Sequence, residues 1–246
     1  LLLLILVLFI NRKNIGNSFS GFTSPLILMI AVIAVSWMQF YALKNLPFKD
    51  CLAYKAGSNI IESMKLPPGS APDSVVMTFK YKKNNQVLEF DAGSFPADFD
   101  STYEYVDRYD KVVKPGTGVA AITDFALQTL SGGDTTYAII NQPNYYLMVF
   151  AMDFSMQDKW ENEIFASIKN KLAEKDLPLF IVTSDKEKGV AYQQQHKDLT
   201  VLVCDGTVIK TAARVNPTYL LMEMGNIRAK FSYADAVKIL ERLKDV

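Results

Sequence analysis

Thiol and imidazole chemistry is confined to three positions in this 246-residue chain: Cys51, Cys204 and His196. A thiol reacts as its thiolate, and the start of a helix directly after a strand is a place where that anion is stabilised. The turn that fits this description, Asp153, Phe154, Ser155, Met156, Gln157 and Asp158, contains no cysteine. Only carboxylate, hydroxyl and amide groups are left there, so no catalytic residue is assigned. Cys204 closes the apolar run at 201–204, where burial makes a thiol inert. Cys51 stands in a Pro- and Gly-containing segment, as a redox handle, an intermolecular link or an unreactive small residue; a Cys51–Cys204 disulfide is an option in an oxidising compartment. One histidine excludes a histidine-rich metal site, and His196, in QQQHKD at a helix end, is expected to face solvent. Asp98, Asp100, Glu104, Asp107 and Asp110 lack the spacing of a calcium loop and read as a solvated face. Neither a metal nor a cofactor is expected.

Around the turn, seven of the eight residues at 145–152 are large and apolar, the pattern of a strand buried on both faces. Ser155, with Asp158 three residues on, is expected to cap a helix over 156–175 that carries Trp160, Ile164, Ile168 and Leu172 on one stripe. A second strand at 178–183 comes next, parallel to the first through a crossover, then a helix over 186–195 capped by Ser184 and Asp185, a strand at 200–204 and a short helix ending near Ala213. Pro217 opens the strand at 219–224, Gly225-Asn226 is expected to turn into an antiparallel mate at 227–231, and Ser232 with Asp235 to cap a last helix bearing Val237, Leu240 and Leu243. The fold class is α/β, in the order β-α-β-α-β-β-α.

Residues 1–43 carry only Arg12 and Lys13 as charges, which leaves 24 basic and 26 acidic groups in the remainder. That near balance, with no basic face, argues against nucleic acid as a partner. The run at 25–43 is 19 residues without a charge and reads as a transmembrane helix inside a span at about 22–43, and the ten apolar residues at 1–10 as the end of a partial span. Arg12 and Lys13 between them favour the cytoplasmic side for that connection, and therefore the opposite side of the membrane for residues 44–246. The lipid bilayer is the first partner implied. Residues 44–74 read as an extended juxtamembrane connector, 75–118 as an accessory β-hairpin region with strands at 75–82 and 86–91 and a possible short strand at 103–106, and 119–246 as the main domain.

The strand, turn and helix at 145–175, with a proline just ahead of a later buried strand, resemble a thioredoxin-like domain. The entry through Asp124-Phe125, the glycines at 132 and 133 and the strand at 145 is similar to that of TlpA- and peroxiredoxin-type proteins. The resemblance implies a Cys-x-x-Cys pair at the turn, which is missing here, and a cis bond between Asn216 and Pro217. It also makes the proline loop, with Asp205, Arg214, Asn216, Pro217 and Thr218, the face that would hold a partner's extended chain; the plainer reading of Asp205 and Arg214 is a helix cap and a salt bridge. Over essentially the whole chain, Leu46-Pro47-Phe48, Tyr54-Lys55, Gly57, Asn59-Ile60, Pro67, Gly69, Ala71-Pro72, the 75–91 hairpin, Lys210-Thr211 and Arg214-x-Asn216-Pro217 resemble the DoxX/MauE-like membrane proteins of Bacteroidetes that end in a thioredoxin-like domain. Thr218 departs from the usual glycine after the proline. The resemblance implies further spans upstream, an inner-membrane location with the C-terminal domain in the periplasm, and other membrane or periplasmic proteins as partners. Two functions are open at this point. One is a non-catalytic binding or scaffold module. The other is a subunit of a membrane thiol–disulfide oxidoreductase system whose reactive cysteines lie in upstream spans. Transport through the spans is a third, weaker reading.

Overall fold

The structure, a computed structural model, describes residues 23–245, with side chains on its first helix from Met29 onward. The expected partial span at 1–10 and the basic connection at Arg12 and Lys13 lie outside the described residues. Two compact units divide the described residues, one formed by 23–58 and 126–245 and the other by 59–125. The accessory unit is therefore larger than the 75–118 expected.

The first unit begins with the helix Thr23–Lys44, closed by Lys44 in its last turn and by the Asn45 amide donating to the Tyr41 carbonyl at 2.9 Å. Met29, Ile30, Ile33, Trp37, Met38, Phe40 and Leu43 are exposed on it. Among the described residues, no helix is long and apolar enough to cross a membrane. The segment after it is not the extended connector expected. Gly57 donates to the Ile227 carbonyl at 2.7 Å and Ile227 donates back to Ser58 at 2.9 Å, so the chain at 57–58 runs beside a strand of the main sheet. Asp50 accepts from the Leu52 amide at 3.1 Å and from Lys230 Nζ at 2.6 Å, and Lys230 also donates to the Tyr54 carbonyl at 3.1 Å.

The second unit opens with the short helix Ile60–Met64, capped by the Asn59 side chain on the Glu62 amide. Three antiparallel strands come after it: β1 (Ser74–Lys83), β2 (Gln86–Asp91) and β3 (Glu104–Lys114), in the order β2-β1-β3. Asn84 and Asn85, with φ of 51° and 67°, make the two-residue turn that matches strand twist. β3 replaces the short strand expected at 103–106; it is eleven residues long. One face of the sheet carries Phe79, Tyr81 and Phe90 against Phe95, Phe99 and Tyr103, with the Phe99 and Tyr103 rings stacked at 4.7 Å.

The rest of the first unit is a six-stranded sheet: β4 (Gln128–Thr129), β5 (Tyr146–Phe150), β6 (Leu179–Thr183), β7 (Thr200–Val203), β8 (Thr218–Glu223) and β9 (Asn226–Ser232), in the order β4-β7-β6-β5-β8-β9. β5 runs parallel to β6 and antiparallel to β8. All five β5 residues are buried, because one face meets Phe165, Ile168 and Leu172 of the helix Glu163–Glu174 with Ile239 and Leu243 near the C-terminus, while the residues of the other face are buried as well. The Asn216–Pro217 bond ahead of β8 is cis. Strand order and this proline make the domain thioredoxin-like, as expected.

Four local expectations are corrected. The helix expected over 156–175 is two helices, Gln157–Trp160 and Glu163–Glu174, and the long one is capped by Asn162. Ser155 caps neither; its hydroxyl donates to Asp153 Oδ1. The β8–β9 turn is Met224-Gly225, both at positive φ, one residue earlier than Gly225-Asn226. Val237 is exposed, and Ile239 takes the buried place on the last helix.

Candidate functional site

The turn after β5 is held by side chains of its own and by those of Thr183, Ser184 and Asn216. The Met152 carbonyl accepts from Ser184 Oγ at 2.8 Å and Thr183 Oγ1 at 3.2 Å, while its amide donates to Asn216 Oδ1 at 3.1 Å. Asn216 Nδ2 in turn donates to Asp153 Oδ1 at 2.9 Å and approaches the Asp153 carbonyl at 3.4 Å. That same Oδ1 accepts from the Ser155 hydroxyl and amide, and the Ser155 hydroxyl is the main reason the Asp153 carboxyl sits below the ordinary carboxylate range; the Asn216 amide adds to it. The proline loop and the turn are thus one hydrogen-bonded unit. Thr218, fully buried, donates to the Val215 carbonyl at 2.7 Å from the position after Pro217.

The remaining turn residues face the core or solvent. Phe154 stacks on Tyr192 at 4.9 Å, Met156 packs partly buried against the core, and Asp158 is exposed. Gln157 donates to Glu161 Oε2 at 2.6 Å. Asp205 caps the helix Gly206–Ala212 by accepting from Thr207 and Val208, which lowers its pKa, so the plainer reading of this residue holds. Arg214 is exposed and lines a hollow of about 410 Å³ with Met38, Tyr41, Phe48, Asp50 and Cys51. The structure therefore joins Asn216 to the turn with Pro217 next to it in the chain, turns Asp205 into a cap, and sets Arg214 beside the 45–52 segment.

His196 does not face solvent as expected. Its ring stacks on Tyr192 at 4.3 Å, and Nε2 lies 3.0 Å from Glu161 Oε1, which also accepts from the Tyr192 hydroxyl at 3.2 Å. Sequence reasoning missed this cluster, although Tyr192 and His196 are four apart on one helix face, a spacing that brings side chains together. Trp160, buried beside it, has no partner for Nε1 among the described residues.

Both cysteines are free, so the Cys51–Cys204 disulfide is not formed. Cys204 is buried, and burial pushes its thiol up to about 12; Cys51 is exposed. At pH 8 iodoacetamide is expected to label Cys51 and leave Cys204 unmodified until denaturant is added, with mass spectrometry of the peptides as the readout. Because the folded pKa of Cys204 is raised, its neutral form supports folding below the unfolded value near 9, and that support is lost as pH rises toward 12. Among the described residues, no group of His, Cys, Asp and Glu is placed to hold a metal ion.

A family model described as a domain of unknown function, DUF8463, matches residues 75–115, the span of β1 to β3. No curated protein matches the chain. Among solved structures, the bacterioferritin comigratory protein of Xanthomonas campestris, described for its alkyl peroxide reduction, is 12% identical over 50% of this chain and 90% of its own, with a TM-score of 0.36. A thiol:disulfide interchange protein of the thioredoxin family from Chlorobium tepidum is 14% identical over 49% of this chain and 93% of its own, with a TM-score of 0.35.

Proposed function

We propose that this chain is a membrane-anchored protein of the DoxX/MauE-like kind whose thioredoxin-like domain is a non-catalytic binding module, docking other membrane or periplasmic proteins beside the inner membrane. The observation that carries the reading is the Asp153–Ser155–Asn216 network: the turn after β5 is filled by mutually satisfied polar groups, and neither thiol belongs to it. Anchoring is supported by the sequence, in which the run at 25–43 is 19 residues without a charge, and by the apolar side chains exposed on the first helix from Met29 to Leu43. Periplasmic placement of the domain rests on Arg12 and Lys13 ahead of that helix.

Membranes containing the chain are expected to retain it through an alkaline carbonate wash. The detergent-solubilised chain is expected not to accelerate insulin reduction by dithiothreitol, and the Cys51→Ser/Cys204→Ser variant to behave identically. Release by carbonate would refute the anchor. An acceleration lost in the Cys51→Ser variant would refute the non-catalytic reading.

A further inference from the structure

β3 ends the three-stranded sheet, and among the described residues its outer edge has no hydrogen-bonding strand. It runs eleven residues and ten of them are exposed, where an average strand is about five or six long. Long open edges are normally blunted by bulges and charges. Bulges flank the segment 107–112, and within it the backbone is regular. The charges there, Asp107, Arg108, Asp110 and Lys111, take no part in the sheet's ion pairs, Lys80–Glu89 and Lys83–Asp98.

Their order has an unusual property. Laid antiparallel on a second copy with Tyr109 opposite Tyr109, the strand sets Asp107 against Lys111 and Arg108 against Asp110, and the two-fold axis repeats both pairs. Outside the bulges, Glu104 and Lys114 carry the same mirrored signs. Slipping by one residue puts Asp107 opposite Asp110, or Arg108 opposite Lys111. Slipping by two puts Arg108 on Arg108, or Asp110 on Asp110. Like charges directly opposite one another repel, so one register alone is favoured. The other edge of the sheet, β2, carries Glu89 and Asp91 and no base, so it cannot pair with itself in this way.

We propose that β3 is a dimerisation edge: two copies of the chain pair antiparallel through residues 107–111 about Tyr109, fusing their sheets across an isologous two-fold contact. The signs that keep foreign edges away select this one partner.

The test uses the full chain in density-matched detergent, with the dimer dissociation constant measured by sedimentation equilibrium. Asp107→Lys and Lys111→Asp each place like charges opposite one another twice per dimer. Each is expected to raise the constant at least about tenfold. An equimolar mixture of the two variants restores both opposite-charge pairs and is expected to dimerise about as tightly as the unsubstituted chain, which also shows that both variants fold. A monomeric unsubstituted chain, a dimer indifferent to both reversals, or a mixture that stays monomeric would overturn the proposal.

Discussion

Replacing Asp50 with alanine is expected to destabilise the thioredoxin-like domain by about 3–5 kcal/mol, the cost of leaving a buried charge without its partner. The Lys230 side chain is only 4% exposed and Asp50 17%, and their contact is 2.6 Å. Burial acts against both charges. For Lys230 it wins, and the ammonium is held below the ordinary lysine value despite Asp50. For Asp50 burial is the largest single influence, yet the hydrogen bonds from Lys230 and the Leu52 amide together outweigh it, and the carboxyl lies below its usual range. Without Asp50, the Tyr54 carbonyl is the acceptor left to the Lys230 ammonium among the described residues. The double variant Asp50→Ala/Lys230→Met is expected to recover most of the loss, because a methionine of similar length needs no counter-charge. Urea unfolding followed by Trp160 fluorescence, in a Trp37→Phe background, reads both variants against the unsubstituted chain. Equal losses for the single and double variants would show that Asp50 acts by packing rather than by charge.

Asn216 is the second position with a large expected effect. Asn216→Ala removes the acceptor for the Met152 amide and a donor to Asp153, for a loss of about 1–3 kcal/mol. Asn216→Asp is expected to cost more at neutral pH, since it sets a second carboxylate where the first now accepts a hydrogen bond. In the native chain Asp153 has a depressed pKa, so its contribution is present above the unfolded value near 3.9 and fades as pH falls through the folded value. In the Asn216→Asp chain one of the two carboxyls is raised instead. Its contribution is then present below the unfolded value and lost as pH rises through the folded one, so the variant gains on the native chain toward pH 4. Stability profiles between pH 4 and 8 that stay parallel would show that the two side chains are not coupled.

The sheet was legible wherever burial writes itself into composition. β5 is apolar throughout because both of its faces are covered, and Pro217 could stand only at a strand's start. β3 was not legible, because a strand exposed on ten of eleven positions has no apolar alternation to display, and its identity comes from pairing with β1. The Ser155 cap failed for a local reason: Asp153, two residues earlier, captures the hydroxyl, and the start of the long helix falls to Asn162. At the site, the missing cysteines were plain from the sequence, whereas the link from Asn216 to Asp153 spans 63 residues and the one from Lys230 to Asp50 spans 180. No local pattern carries contacts of that separation.

The short distance along the chain between the first helix and Asp50 has a mechanical outcome. Residues 45–49 can extend no more than about 18 Å, so the sheet rides on a leash shorter than its own width. Tension applied through the helix enters the domain at the Asp50–Lys230 peg and the two main-chain bonds at Gly57 and Ser58, along the start of β9. A pull on the first helix is therefore borne first by a charged clasp at the rim of the sheet, and the central strands feel it last.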